Sequence, residues 1–103
     1  MDNTKLEEMS MTIIANSGEA RGLAFEALKL ARDDKNFEKA KEIMKQANDY
    51  AVIAHKAQTE LLVAHARGEI VGVDILLIHS QDHLMNSMLA IDLIEEIIKI
   101  CEK

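Results

Sequence analysis

The sequence predicts an all-α chain of three long antiparallel helices, running up, down and up. Three observations carry that prediction. Hydrophobic residues make up 49% of the 103 positions, yet aromatic residues only 3%. The core must then be built from Leu, Ile, Val, Ala and Met, which suits packed helices better than strands, where aromatic and β-branched residues are favoured. Proline is absent and glycine occurs four times, so little in the chain forces a helix to stop. Apolar or small residues also recur at steps of three and four along three stretches separated by two short connections, which is helical spacing.

The first helix has a start signal in Thr4-Lys5-Leu6-Glu7. This matches a capping box, in which the Thr hydroxyl accepts from a backbone N–H and the Glu reaches back. Leu6, Met9, Ile13, Ala20, Ala24, Leu28 and Ala31 then mark one face. Asn16-Ser17-Gly18 interrupts the pattern, and a bend is expected there. Gly18 and Gly22 lie four apart and would let another helix approach closely. Asp33-Asp34-Lys35-Asn36 has no apolar member and reads as a turn, with Asn36 as the N-cap of the second helix.

That helix carries Phe37, Ala40, Met44, Ala47, Ala51, Ala54, Leu61 and His65 at helical steps, with Gln58 in the same series. Arg67-Gly68 is its natural end, a cationic last turn followed by a glycine able to adopt the left-handed conformation. Gly68 to Val73 forms the second connection, and Asp74 can cap the third helix. Ile75, Ile78, Asp82, Met85, Leu89 and Leu93 follow at heptad-like spacing, with Asp82 where a Leu would be expected. Leu84, Met88, Ile91, Ile94, Ile97 and Ile98 make the third helix apolar over more than one face. One seam within a subunit cannot cover so wide a surface, so self-association is expected. Helices of about 30 residues would be about 45 Å long. Residues 1–103 form one domain, with no repeat or low-complexity segment.

The formal charge is −6. No basic face is available for nucleic acid, and an anionic membrane surface is an equally poor partner. Cys101 is the single cysteine, so no internal disulfide can form, which suits a reducing compartment. Met1-Asp2-Asn3-Thr4-Lys5 lacks the pattern of a signal peptide. The apolar C-terminal stretch is broken by Asp92, Glu95, Glu96 and Lys99 and cannot insert in a membrane. A soluble cytoplasmic protein is the expectation.

The chemistry concentrates in Ile78-His79-Ser80-Gln81-Asp82-His83-Leu84-Met85. Two imidazoles and a carboxylate sit there among aliphatic residues, and burying such groups costs free energy unless each is paired. His79 and His83 are four apart and share a helix face. Asp82 is turned away from them toward the apolar stripe. Three readings of the imidazoles stand side by side. Both can be structural, hydrogen-bonded at a helix surface. They can be part of a divalent-metal site, although catalytic zinc takes about three protein ligands and structural zinc about four, and no Glu-x-x-His motif completes such a set. Or one can be a nucleophile, because neutral His offers a lone pair near neutral pH and can accept and release a phosphoryl group. No glycine-rich nucleotide cradle is present, which argues against direct use of ATP but not against a phosphocarrier. A purely structural helical assembly module is a further alternative. If copies associate along the stripe, their Asp82 carboxylates meet, and like charges at close range raise one another's pKa or recruit a hard cation such as Mg²⁺.

Three segments together resemble a known family. They are Asn16-Ser17-Gly18-Glu19-Ala20-Arg21-Gly22-Leu23-Ala24 with Glu26-Ala27-Leu28-Lys29, then Ala54-His55-Lys56-Ala57-Gln58-Thr59, and His79-Ser80-Gln81-Asp82-His83-Leu84-Met85. In this order they resemble the lactose/cellobiose/diacetylchitobiose type of IIA component of the bacterial phosphoenolpyruvate-dependent sugar phosphotransferase system. The resemblance implies a homotrimeric helical bundle. It implies that His79 accepts a phosphoryl group from the histidine-containing phosphocarrier protein and passes it to a cysteine of a cognate IIB component during β-disaccharide uptake. It further implies that Asp82 lies at the trimer axis, where three copies can hold Mg²⁺, and that Gln81 and His83 lie near the reacting ring. No organic cofactor is implied. His55 and His65 receive no role.

Overall fold

A computed structural model of the protein describes residues 1–70 and 72–103. Helix α1 spans Asn3–Asp34, α2 spans Phe37–Ala66 and α3 spans Ile75–Glu102. The start of α1 differs from the expected capping box. Its N-cap is Asp2, whose carboxylate accepts from the Lys5 N–H at 2.7 Å. A carboxylate satisfies a free N–H as Thr would and also complements the positive end of the helix. The helix is continuous through Asn16-Ser17-Gly18, where Asn16 Nδ2 donates to the Thr12 carbonyl at 2.9 Å.

The expected first turn is also shorter. Asp33 and Asp34 still belong to α1, and only Lys35 and Asn36 connect it to α2. Lys35 makes the reversal by taking a left-handed φ of 53°, uncommon for a residue with a side chain. Asn36 caps α2 as expected, accepting from Lys39 N–H at 3.2 Å. At the far end, Arg67 closes α2 and Gly68 has φ 74°. The second connection begins there, and its Val71 lies outside the described residues. Asp74 caps α3, accepting from Leu77 N–H at 2.7 Å.

The bundle measures 49 × 19 × 19 Å. Its central element is α1, which packs along both α2 and α3, while α2 and α3 touch each other sparingly. Small residues make this close approach feasible: Ala20, Ala24, Ala27 and Ala31 of α1 meet Ala40, Met44 and Ala47 of α2 and Ile91, Ile94 and Ile98 of α3. A second cluster joins Leu6, Met9 and Ile13 with Ala54, Leu61 and Leu84. Four serines are buried as well, Ser10 and Ser17 on α1 and Ser80 and Ser87 on α3. Each pair is seven residues apart and so repeats on one helix face.

Candidate functional site

The site is built by the way α3 distributes its first four turns. Ser80 and Leu84 are fully buried and fix which face meets α1. Each further residue is then placed by the 100° advance of the helix. His79 and Asp82 are exposed, and His83 and Gln81 are half-buried. The two imidazoles come together, with ring centroids 5.7 Å apart and planes at 64°, an edge-to-face arrangement.

Two neighbouring helices hold the segment from opposite sides. On the α1 side, Gly18 backs onto His83: a methyl group added at Gly18 would touch the ring's Cε1 and Nε2 at 3.8 Å. On the α2 side, Gln58 Nε2 donates to Gln81 Oε1 at 2.8 Å. Gln81 Nε2 in turn donates to Ser80 Oγ at 3.3 Å, and that hydroxyl donates to the Leu77 carbonyl at 2.6 Å. The three sequence segments therefore converge on one stretch of α3. Gly18 is the expected close-approach glycine, but what it approaches is an imidazole. Gly22 has nothing within reach of an added methyl.

One expected neighbour is not brought to the reacting ring within a subunit. Gln81 reaches toward Gln58, and two residues of helical advance put it about 200° from His79. His55 and His65 lie on α2 and are exposed. His55 lines a groove of about 330 Å³ with Asn48, Lys56, Met88 and Asp92. His65 borders an apolar groove with Leu61, Ile70 and Leu77. Sequence reasoning missed Gln58 and Ser87 as neighbours of the site. Gln58 was visible as a polar member of an apolar series, and Ser87 as the residue one turn beyond His83.

Asp82 stands in an apolar setting that faces outward. Ile75 is 85% exposed, Ile78 57%, Met85 54%, Leu89 58% and Leu93 54%, and Ile100 continues the stripe. The second apolar face, with Leu84, Ile91, Ile94 and Ile98, is the one that enters the subunit core. So large a contiguous apolar surface on one subunit marks an interaction surface.

No group of three His, Cys, Asp or Glu side chains placed to hold a metal occurs among the described residues. The pair His79 and His83 thus has no third such ligand among the described residues of its own subunit, and the metal expectation finds no support there. On this stripe one subunit carries Asp82 and, two heptads further on, the exposed Glu96. At the end of α1, Arg32 Nε donates to Asp33 Oδ1 at 2.7 Å. That hydrogen bond, with the guanidinium charge, holds Asp33 below the usual carboxylate range and Arg32 above its ordinary value. No described helix is long and apolar enough to cross a membrane.

Fold and site together define an all-helical subunit that presents an exposed imidazole beside an unpartnered apolar stripe. The chain belongs to the lactose/cellobiose-specific IIA subunit family of the phosphotransferase system, whose family model matches residues 8–102. It is 39% identical over 103 residues to the lactose-specific EIIA component of Staphylococcus epidermidis, covering 100% of this chain and 98% of that protein. The crystal structure of PtcA from S. mutans superposes with a TM-score of 0.94 at 36% identity, covering 100% of each chain. A solution structure of the IIA(Chitobiose)-HPr complex of the N,N'-diacetylchitobiose branch of the Escherichia coli phosphotransferase system matches with a TM-score of 0.81 at 44% identity, covering 94% of this chain and 93% of that one. The three-helix subunit and the family expected from the sequence are both confirmed.

Proposed function

We propose that this protein is a phosphocarrier that accepts a phosphoryl group on His79 from the histidine-containing phosphocarrier protein HPr. It then passes the group to a cysteine of a cognate IIB component during uptake of a β-disaccharide such as cellobiose, chitobiose or lactose. The observation that carries this reading is the exposed His79 ring, set beside His83 on a rigid helix of a IIA-family chain.

The chemistry balances without a further reactant. A ring nitrogen of His79 attacks phosphorus through its lone pair. A new N–P bond forms as the donor's N–P bond breaks, and the bonding pair returns to the donor imidazole. In the second transfer the IIB thiolate attacks, an S–P bond forms, and His79 recovers its lone pair. Such in-line transfers need mainly positioning and charge stabilisation. His83, at one ring's distance, is a donor for the phosphoryl oxygens. The group adds about 1.5–2 negative charges to a chain already at −6, so cationic partner surfaces should stabilise it and binding should weaken with salt.

The outward stripe supports a homotrimer. Copies related by a threefold axis parallel to α3 would pair their stripes in one direction. The His79 flank of one copy would then face the Gln81 flank of the next, which restores Gln81 to the site as a donor from the neighbouring subunit. Asp82 would lie on the axis. Three carboxylates there suit a hard cation such as Mg²⁺, and no step of the transfer runs through it. The carrier is placed in the cytoplasm as part of this proposal; no described helix is long and apolar enough to cross a membrane.

The test is direct. Supplied with phosphoenolpyruvate, enzyme I and HPr, the chain should gain one acid-labile phosphoryl group, and His79→Ala should gain none. Equal labelling of the His79→Ala variant would overturn the assignment.

A further inference from the structure

One polar side chain beside the imidazole pair has no part in the transfer described so far. Ser87 lies one turn beyond His83 and is 1% exposed. Its Oγ is 3.4 Å from His83 Nδ1. A buried hydroxyl costs free energy unless it is hydrogen-bonded, and this ring nitrogen is the partner it meets among the described residues, with the tautomer deciding which of the two donates. The contact is long for an O–H···N bond, as bonds in resting sites often are before the reacting group tightens them. The opposite edge of the ring, Nε2 with Cε1, faces α1 at Gly18, where an added methyl group would meet it at 3.8 Å.

We propose that Ser87 is a positioning residue for phosphoryl transfer at His79, acting through the His83 ring. Its Oγ–H donates to Nδ1 of His83. The neutral ring then carries its proton on Nε2, because the hydrogen bond made by one imidazole nitrogen sets the role of the other. His83 is thereby a fixed N–H donor toward a phosphoryl group on His79, whose ring lies 5.7 Å away. Glycine at position 18 keeps a side chain from crowding that donor edge. The role rests on the phosphocarrier reading above, whereas the Ser87–His83 pairing can be measured without any phosphoryl group.

The experiment compares the wild-type chain with Ser87→Ala and Ser87→Thr, each labelled with [¹⁵N]histidine. Alanine is smaller and a stronger helix former than serine, so the fold should survive, and circular dichroism checks this. Long-range ¹H–¹⁵N correlation spectra should show a single Nε2–H tautomer for His83 in the wild type and a mixture in Ser87→Ala. Transfer from phosphorylated HPr to His79 should slow about fivefold in Ser87→Ala, the worth of one hydrogen bond, while the final level of labelling stays the same. Ser87→Thr keeps the hydroxyl and should restore both readouts. An unchanged tautomer in Ser87→Ala, or a changed tautomer with an unchanged rate, would overturn the proposal. A wild-type chain that accepts no phosphoryl group overturns the phosphocarrier reading and the role of Ser87 with it; equal rates with and without the hydroxyl overturn the role of Ser87 alone.

Discussion

Helix α3 carries two apolar faces of similar composition and opposite fate. Leu84, Ile91, Ile94 and Ile98 are buried against α1, whereas Ile75, Ile78, Met85, Leu89 and Leu93 remain in contact with solvent in the subunit. Hydrophobicity does not separate them; what separates them is what they have to pack against. The inward face includes Ser80 and Ser87, small enough to let α1 come close, and it meets a helix rich in Ala. The outward face holds larger side chains and the carboxylates of Asp82 and Glu96. A face that packs within the chain stabilises the fold, and a face left open is available to another copy. His79 and His83 sit at the border between these two faces, where a ring can be reached from outside and still be held from within.

Substitutions on the two faces should therefore differ in kind. The largest effect is expected from Leu84→Ala, because Leu84 is fully buried. It should cost about 2–5 kcal/mol of stability, the range for emptying a packed Leu site, read by chemical denaturation. Leu89→Asp, on the open face, should leave the helical circular-dichroism signal near wild type and lower the mass measured by sedimentation to that of one chain. If Leu89→Asp instead unfolds the chain while Leu84→Ala does not, the assignment of the two faces is reversed.

Asp82→Leu sharpens the same comparison. It should preserve or strengthen the assembly, since replacing buried charges by packed apolar groups is often neutral or stabilising by roughly 1–4 kcal/mol. Dissociation of this variant would place Asp82 away from the axis. The smallest effect should come from the surface pair at the end of α1. Asp33 titrates below its ordinary value because Arg32 donates to it, so any stabilisation it gives is present above the unfolded-state pKa and lost as pH falls through the folded value. Both side chains are solvent-exposed, and screening leaves such pairs little weight. Melting temperatures of wild type and Asp33→Asn should coincide at pH 7, and a clear gap would mean that this pair does more than its exposure allows.

Much of this was legible in the residues. Asn36, Asp74 and Arg67-Gly68 mark helix ends through short-range chemistry, and each acts where it was expected. The start of α1 was harder to read because Asp2 and Thr4 are both competent caps, and the competition is settled by a single bond to Lys5 N–H. Asn16-Ser17-Gly18 breaks the apolar pattern of α1, yet the helix continues through it. Ile13, Ser17 and Ala20 are all buried there, so that stretch of α1 stays on the core. The site divides in the same way. Periodicity placed His79 and His83 on one face, but the phase of α3 against its neighbours was needed to send Gln81 toward Gln58. Which apolar stripe turned inward was also beyond periodicity, since both stripes satisfy it.

The central claim joins an open apolar stripe that assembles to an open imidazole that carries phosphoryl groups. Native mass spectrometry of the chain after incubation with phosphoenolpyruvate, enzyme I and HPr reads both at once. The account predicts a complex of three chains whose mass rises by one phosphoryl group per chain. A single chain, or a three-chain complex with no added mass, would contradict it.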